Sequence, residues 1–248
     1  MSTASNTSKA KATRAPRSEL PAVPEYAQTI IVPVANPQTA MALLRLATAL
    51  VHPEKGRIIA LSVSLGEDAE SERKGRQTFD KIIQAFQDEG EPVEFMQVKA
   101  TGIARGILDS VREYRADLLI LGVLQPSRGE VVIGTVAENV AQVAPCDVLI
   151  YRSNAQETDF ERVVMWANGS SPARVAAQIG LTIANHYQRP VNALYVHNPG
   201  RSYWQGLARV EQTLYGLKGV GNVSREVATA SDLVSGLLTR LYDGDLLV

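Results

Sequence analysis

From Thr29 onward the chain alternates, with little interruption, between short apolar runs and longer stretches of helical periodicity. Short apolar runs suit strands buried on both faces, and apolar residues spaced three and four apart suit helices. On this basis Thr29–Val34 is expected to be a strand, Gln38–Val51 a helix and Arg57–Leu65 a strand. Glu67–Glu89 reads mainly as helix, Val93–Lys99 as strand, Ile103–Tyr114 as helix and Asp117–Leu121 as strand. Thr135–Val143 then supplies a helix and Asp147–Tyr151 a closing strand. Strands that alternate with helices pair in parallel through right-handed crossovers. The order therefore predicts an α/β fold on a doubly wound, parallel, five-stranded sheet that is complete by Arg152.

The same order begins again after the polar stretch Ser153–Asp159. Val34-Ala35-Asn36-Pro37 aligns with Ala167-Asn168-Gly169-Ser170, and 167 less 34 is an offset of 133. Thr101–Leu108 aligns with Ser231–Leu238 at 231 less 101, or 130, and Asp117–Ile120 with Asp245–Val248 at 245 less 117, or 128. A small drift in one direction is what a few loop deletions produce, so the second half is expected to be a truncated tandem copy. It stops at Val248, within the counterpart of the fourth strand. Either the sequence is a fragment, or the second unit is a five-element remnant that covers its sheet edge with the first unit or another chain. The expected organisation is a disordered leader at 1–26, a first domain at 27–153, a linker at 154–159 and an incomplete second domain at 160–248. The leader is rich in Ser, Thr, Ala and Pro and carries Lys9, Lys11, Arg14 and Arg17 before its first acid, Glu19. A transit peptide and a basic membrane tether are alternative readings of it.

A formal net charge of -1 and a pI near 6.3 give no field for gripping nucleic acid, which is excluded as a partner. Cys146 is the single cysteine, so no internal disulfide forms; it reads as a buried thiol in a reducing, cytoplasmic setting. No apolar run approaches the roughly 18 residues a membrane span needs. His52, His186 and His197 lack Cys or acidic neighbours at metal-ligand spacing, and Ser170-Ser171 has no evident base. The chain is not expected to be an enzyme. Tyr203 and Trp204 are either an interface anchor or core residues under a loop.

The stretch Ala116–Arg152 carries the candidate site. Its apolar run ends at Gly122, a polar loop with Pro126 and Gly129 follows, and Gly134-Thr135 opens a helix whose Val136, Val140 and Val143 share a face. Backbone N–H groups at a helix start, with the positive end of its dipole, can hold a phosphate. Ligands of doubly wound sheets bind beyond the carboxyl ends of the strands where the strand order reverses. If the first strand is central with the fourth beside it, Val34-Ala35-Asn36 meets Gly122–Thr135 there. Gly134-Thr135 reads equally well as a plain helix cap, and Asn36 before Pro37 caps the first helix or meets a nucleotide.

The frame from Ile30 to Arg152, with IIVPVANP, ARGILDSVREYRADLLILG and GTVAENVAQVAPCDVLIYR, resembles a universal stress protein domain. Paired units of this kind are similar to the cytosolic regions appended to amino-acid permeases and cation/proton antiporters. ATP-binding members of the family carry an Asp after the first strand and a loop of the form Gly, two residues, Gly, nine residues, Gly-Ser/Thr. Gly122, Gly134 and Thr135 keep that pattern. Ala35 stands at the Asp position, Gln125 at the second glycine, and eight residues separate Gln125 from Gly134. Asn168 takes the Asp position in the second unit. The resemblance implies a non-catalytic sensory or stress-response module binding ATP or another adenine nucleotide with Mg²⁺. Gly122, Gly134 and Thr135 would hold phosphates, Gln125 and Arg128 would lie along the loop, and Val34, Ala35 and Asn36 would flank base and ribose. A degenerate site implies no cofactor and a scaffold instead, one that dimerises through its final strands or regulates a membrane transporter. A homodimer is expected in either case. Slow ATP hydrolysis is the third reading, and no residue suggests its general base.

Overall fold

The computed structural model describes residues 26–65, 69–123, 135–152 and 160–248. The first unit contains β1 (Thr29–Pro33), α1 (Pro37–Leu50), β2 (Arg57–Ser64), α2 (Ala69–Asp88) and β3 (Val93–Lys99). It continues with α3 (Ile103–Glu113), β4 (Leu118–Val123), α4 (Thr135–Val143) and β5 (Asp147–Arg152). The sheet runs β3-β2-β1-β4-β5 with every pair parallel, so the order reverses between β1 and β4 as expected. Because side chains alternate along a strand, Ile30 and Val32 face α1 and α2, while Ile31 packs with α3 and α4 through Ile107, Val111, Ala137 and Val140. Both faces are covered, which is why the central strands read as unbroken apolar runs.

The second unit has β6 (Arg162–Trp166), α5 (Ser171–His186), β7 (Val191–His197), α6 (Tyr203–Leu214), β8 (Val223–Thr229), α7 (Leu233–Leu238) and β9 (Asp245–Leu247). These are four strands and three helices, seven elements rather than the five expected. Its sheet runs β8-β7-β6-β9, again all parallel, and repeats the order β3-β2-β1-β4 of the first. The repetition extends to single contacts. The Val34 N–H donates to the Leu61 carbonyl at 2.8 Å, and 133 residues on the Ala167 N–H donates to the Leu194 carbonyl at 2.8 Å. The Ala100 N–H donates to the Ser64 carbonyl at 3.1 Å, and the Ala230 N–H to the His197 carbonyl at 3.0 Å.

The two units touch through their first helices. Ile183 of α5 is buried in the cluster that holds Leu43, Leu46 and Leu50 of α1, and the Tyr187 hydroxyl donates to the Arg45 carbonyl at 2.9 Å. Phe160 meets Tyr187 edge-on at 5.4 Å. Most of the expected leader, residues 1–25, and all of the expected linker lie outside the described residues.

Candidate functional site

The β1–β4 pairing ends at Ile31↔Leu119, and Val34 and Gly122 each lie three residues farther on, toward the carboxyl ends of these strands. Val34, Ala35, Asn36 and Gly122 thus lie at the carboxyl ends of neighbouring strands. Val34 is buried, Ala35 exposed and Asn36 half-buried. The Asn36 carbonyl accepts from the Thr39 N–H at 3.2 Å, the Ala40 N–H at 3.0 Å and the Thr39 hydroxyl at 3.2 Å. Asn36 therefore starts α1, with Pro37 at the first helical position where its missing N–H costs nothing. Ala35 presents only a methyl group to the crevice, so no side chain there can bond a ribose or a metal-bound water.

Gly122 has a packing reason as well as a possible ligand one. A Cβ added there would sit 2.9 Å from Leu43 Cδ1 and 3.4 Å from Cδ2, so the glycine lets α1 close on β4. Gly122→Ala is expected to cost about 1–2 kcal/mol in urea unfolding as an overpacked contact, and much less in a Leu43→Ala background. An equal cost in both backgrounds would show that Leu43 is not what the glycine accommodates.

Thr135 is exposed at the first position of α4, whose Ala137 and Val140 are buried. Glu138 occupies the first turn of this helix, where its charge favours the positive end of the dipole and opposes a bound anion. Gln125, Arg128 and Gly134 lie outside the described residues, as does Ser127.

In the second unit the matching turn is closed by its own chain. Asn168 Oδ1 accepts from the Ser170 N–H at 2.9 Å, and Ser170 Oγ accepts from the Ala173 N–H at 3.3 Å, so both side chains serve the start of α5. Gly169 adopts φ +82 and donates its N–H to Thr213 Oγ1 at 2.8 Å. Arg174, 7% exposed, reaches the carbonyls of Gln212 at 3.2 Å and Tyr215 at the end of α6. A buried guanidinium against free helix carbonyls is held by the negative end of the dipole instead of by a carboxylate.

The histidines have structural surroundings. His52 Nδ1 accepts from the Glu54 and Lys55 N–H groups, each at 3.3 Å, and no group of three potential metal ligands occurs among the described residues. Burial pushes the Cys146 thiol above its ordinary value, and Asp147 and Asp117 add to the effect. Tyr203 and Trp204 are 50% and 72% exposed at the start of α6, so they are not core residues. No helix among the described residues is long and apolar enough to cross a membrane.

Sequence reasoning missed a cleft of about 390 Å³ between α6 and the end of β7, lined by Tyr195, His197, Arg201, Gln205, Arg209 and Gln212 among others. Gln205 and Arg209, four residues apart on one face of α6, with Arg201 just before the helix, were a signal that could have found it.

The parallel strand order, reversing between β1 and β4, defines a doubly wound α/β protein. The model of the universal stress protein family matches residues 27–152, just over half of the 248-residue chain, and the chain belongs to that family. No curated protein matches. Among solved structures the chain is similar to a universal stress protein from Archaeoglobus fulgidus DSM 4304, with TM-score 0.60 and 15% identity over 88% of this chain and 83% of that one. It is also similar to the cytoplasmic domain of a prokaryotic cation chloride cotransporter, with TM-score 0.61 and 16% identity over 83% of this chain and 80% of that one. A further likeness is to a putative universal stress protein from Pseudomonas aeruginosa UCBPP-PA14, with TM-score 0.59 and 13% identity over 90% of this chain and 82% of that one. These likenesses lie in the fold.

Proposed function

We propose that the chain is a non-catalytic sensory or regulatory module of the universal stress type whose first unit binds an adenine nucleotide. The observation that supports this reading is the reversal of strand order between β1 and β4, with Val34 and Gly122 each following the last paired residues of those strands. In it, Gly122, Gly134 and Thr135 receive phosphates while Val34, Ala35 and Asn36 flank base and ribose; Gln125 and Arg128 complete the loop. Mg²⁺ would accompany ATP, held mainly by the phosphates because Ala35 offers it no ligand. The units divide at 153–159, and the protein acts in the cytoplasm as a homodimer. Calorimetric titration of the full chain with ATP, ADP, AMP and cyclic AMP, each with Mg²⁺, tests this. Binding tighter than about 1 mM, or roughly 4 kcal/mol, is expected for at least one. Absence of heat from all four would sink the reading.

A second reading has its own observation. Ala35 lacks a polar group, and the close approach of Leu43 explains Gly122 without a ligand. On this reading the chain is a ligand-free scaffold that regulates a membrane transporter, a role supported in kind by the cotransporter domain that shares its fold. The double variant Ala35→Asp, Gln125→Gly would then gain ATP binding that the parent lacks. Equal affinity in parent and variant would exclude a degenerate site.

A further inference from the structure

We infer that the second unit binds a small phosphate monoester in the cleft between α6 and the end of β7, a site independent of the crevice in the first unit. The cleft of about 390 Å³ contains no acidic residue in its lining, and it contains two arginines, Arg201 and Arg209. Three other arginines of this unit have carboxylate partners, Arg162 with Asp245, Arg225 with Glu211 and Arg240 with Glu226, and Arg174 is bonded to backbone carbonyls. Among the described residues Arg201 and Arg209 have no such carboxylate. Arg209 Nη1 donates to Gln212 Oε1 at 3.2 Å, which orients the Gln212 amide so that its NH₂ group remains to donate. Two guanidinium groups and amide donors suit a dianionic, tetrahedral phosphate, which needs several N–H groups converging on its oxygens.

The lining also carries two aromatic rings. Tyr195 stacks on His197, with ring centroids 6.4 Å apart and planes at 26°. A carbonyl can only accept, so His197 Nδ1, 2.8 Å from the Asn198 oxygen, carries the proton. Nε2 then accepts from the Thr229 hydroxyl at 3.3 Å, and both ring nitrogens are used within the protein. His197 is only 7% exposed, so the half-buried Tyr195 ring is the surface offered to an apolar ligand body. Trp204, 72% exposed, stands one helical turn before Ala208, which lines the cleft. The frame is fixed before any ligand arrives. Gly206 allows α6 to sit against Val227 and Tyr195, where a Cβ would come within 2.6 Å of Val227 Cγ1, and Arg174 holds the other end of the helix.

Trp166 and Trp204 are the two tryptophans, so a full-length Trp166→Phe chain reports from Trp204 alone. Phenyl phosphate titrated into it is expected to change Trp204 emission saturably, inorganic phosphate to bind more weakly, and benzoate and phenol to leave emission unchanged. Arg201→Gln with Arg209→Gln is expected to weaken phenyl phosphate at least tenfold. Arg201→Lys with Arg209→Lys, which keeps both charges, should retain part of the affinity. The inference is overturned if phenyl phosphate leaves the emission unchanged, or if the Gln pair binds it as tightly as the parent. The same Gln pair should titrate with cyclic AMP, a phosphodiester without a terminal phosphate, as the parent does, because the first-unit crevice is untouched.

Discussion

Asp245→Ala is expected to destabilise the second unit by about 3 kcal/mol, the scale for removing one partner of a largely buried ion pair. The Asp245 side chain is 5% exposed and that of Arg162 26%. Arg162 Nε donates to Asp245 Oδ1 at 2.9 Å and Nη2 to Oδ2, while the Tyr242 N–H donates to Oδ2 at 2.9 Å. Truncation leaves the guanidinium beside Tyr242, whose ring it faces at 5.2 Å, with its charge uncompensated. It also frees the turn that starts β9, so β9 loses its anchor at the same time. Burial by itself raises the Asp245 carboxyl, but the Arg162 and Tyr242 hydrogen bonds and the Arg162 charge outweigh it and hold the group below its ordinary value. A carboxylate with a depressed folded value contributes stability that is fully present above its unfolded value, about 4. The contribution is lost as pH falls through the folded value. Urea midpoints of the parent should therefore fall in acid more steeply than those of Asp245→Asn, which has no such charge to lose. Parallel acid profiles would show that the pair adds nothing.

The paired aspartate at the same place in the first unit shows how far the sequence alone could lead. The repeated DLLI and DLLV blocks align Asp117 with Asp245, and the strand order confirms the alignment. Their partners could not be read. Asp117 Oδ2 accepts the backbone N–H groups of Gln28 and Thr29 at 2.9 Å each, whereas Asp245 takes the side chain of Arg162, which stands at the Thr29 position. Apolar periodicity reveals strands, helices and their order, because burial imposes it residue by residue. Element ends were less legible. β4 runs two residues beyond the expected Leu121, to Val123, because pairing with β5 continues to Arg152. The switch-point residues Val34 to Asn36 and Gly122 were legible from strand order, since topology places them there whatever their side chains do. That Leu43 fills the space beside Gly122, or that Asn168 turns its amide oxygen onto Ser170, depends on contacts across elements that no local pattern encodes. The cleft beside α6 escaped for the same reason. Arg201, just before α6, and Arg209 within it look like solvated charges until the fold sets Tyr195 and His197 of β7 in the same cleft.

Gly106→Ala and Gly236→Ala are expected to destabilise by about 2 kcal/mol each, although alanine is the better helix former by about 1 kcal/mol. At Gly106 in α3 a Cβ would lie 2.6 Å from Val63 Cγ1 and 2.9 Å from Ala100 Cβ. At Gly236 in α7 it would collide with Val196 Cγ1 and lie 3.0 Å from Ala230 Cβ. Both obstacles are stiff, since valine has one strongly preferred rotamer on a pleated strand and an alanine Cβ moves only with its backbone. Relief requires the helix to lift from the sheet. In α7 that is the costlier course, because this six-residue helix carries Leu233 and Leu237 onto Val164, Leu194 and Val196 and has little else to hold it. The glycines occur at matched positions 130 residues apart, against valines 133 apart, so the same close packing was built twice. Urea unfolding of each alanine variant in the parent and in a Val63→Ala or Val196→Ala background measures the contact directly. Most of the cost should disappear in the smaller-valine background, leaving the helix-propensity gain visible. If either alanine stabilises the parent chain, close approach of helix to strand is not what selects glycine there.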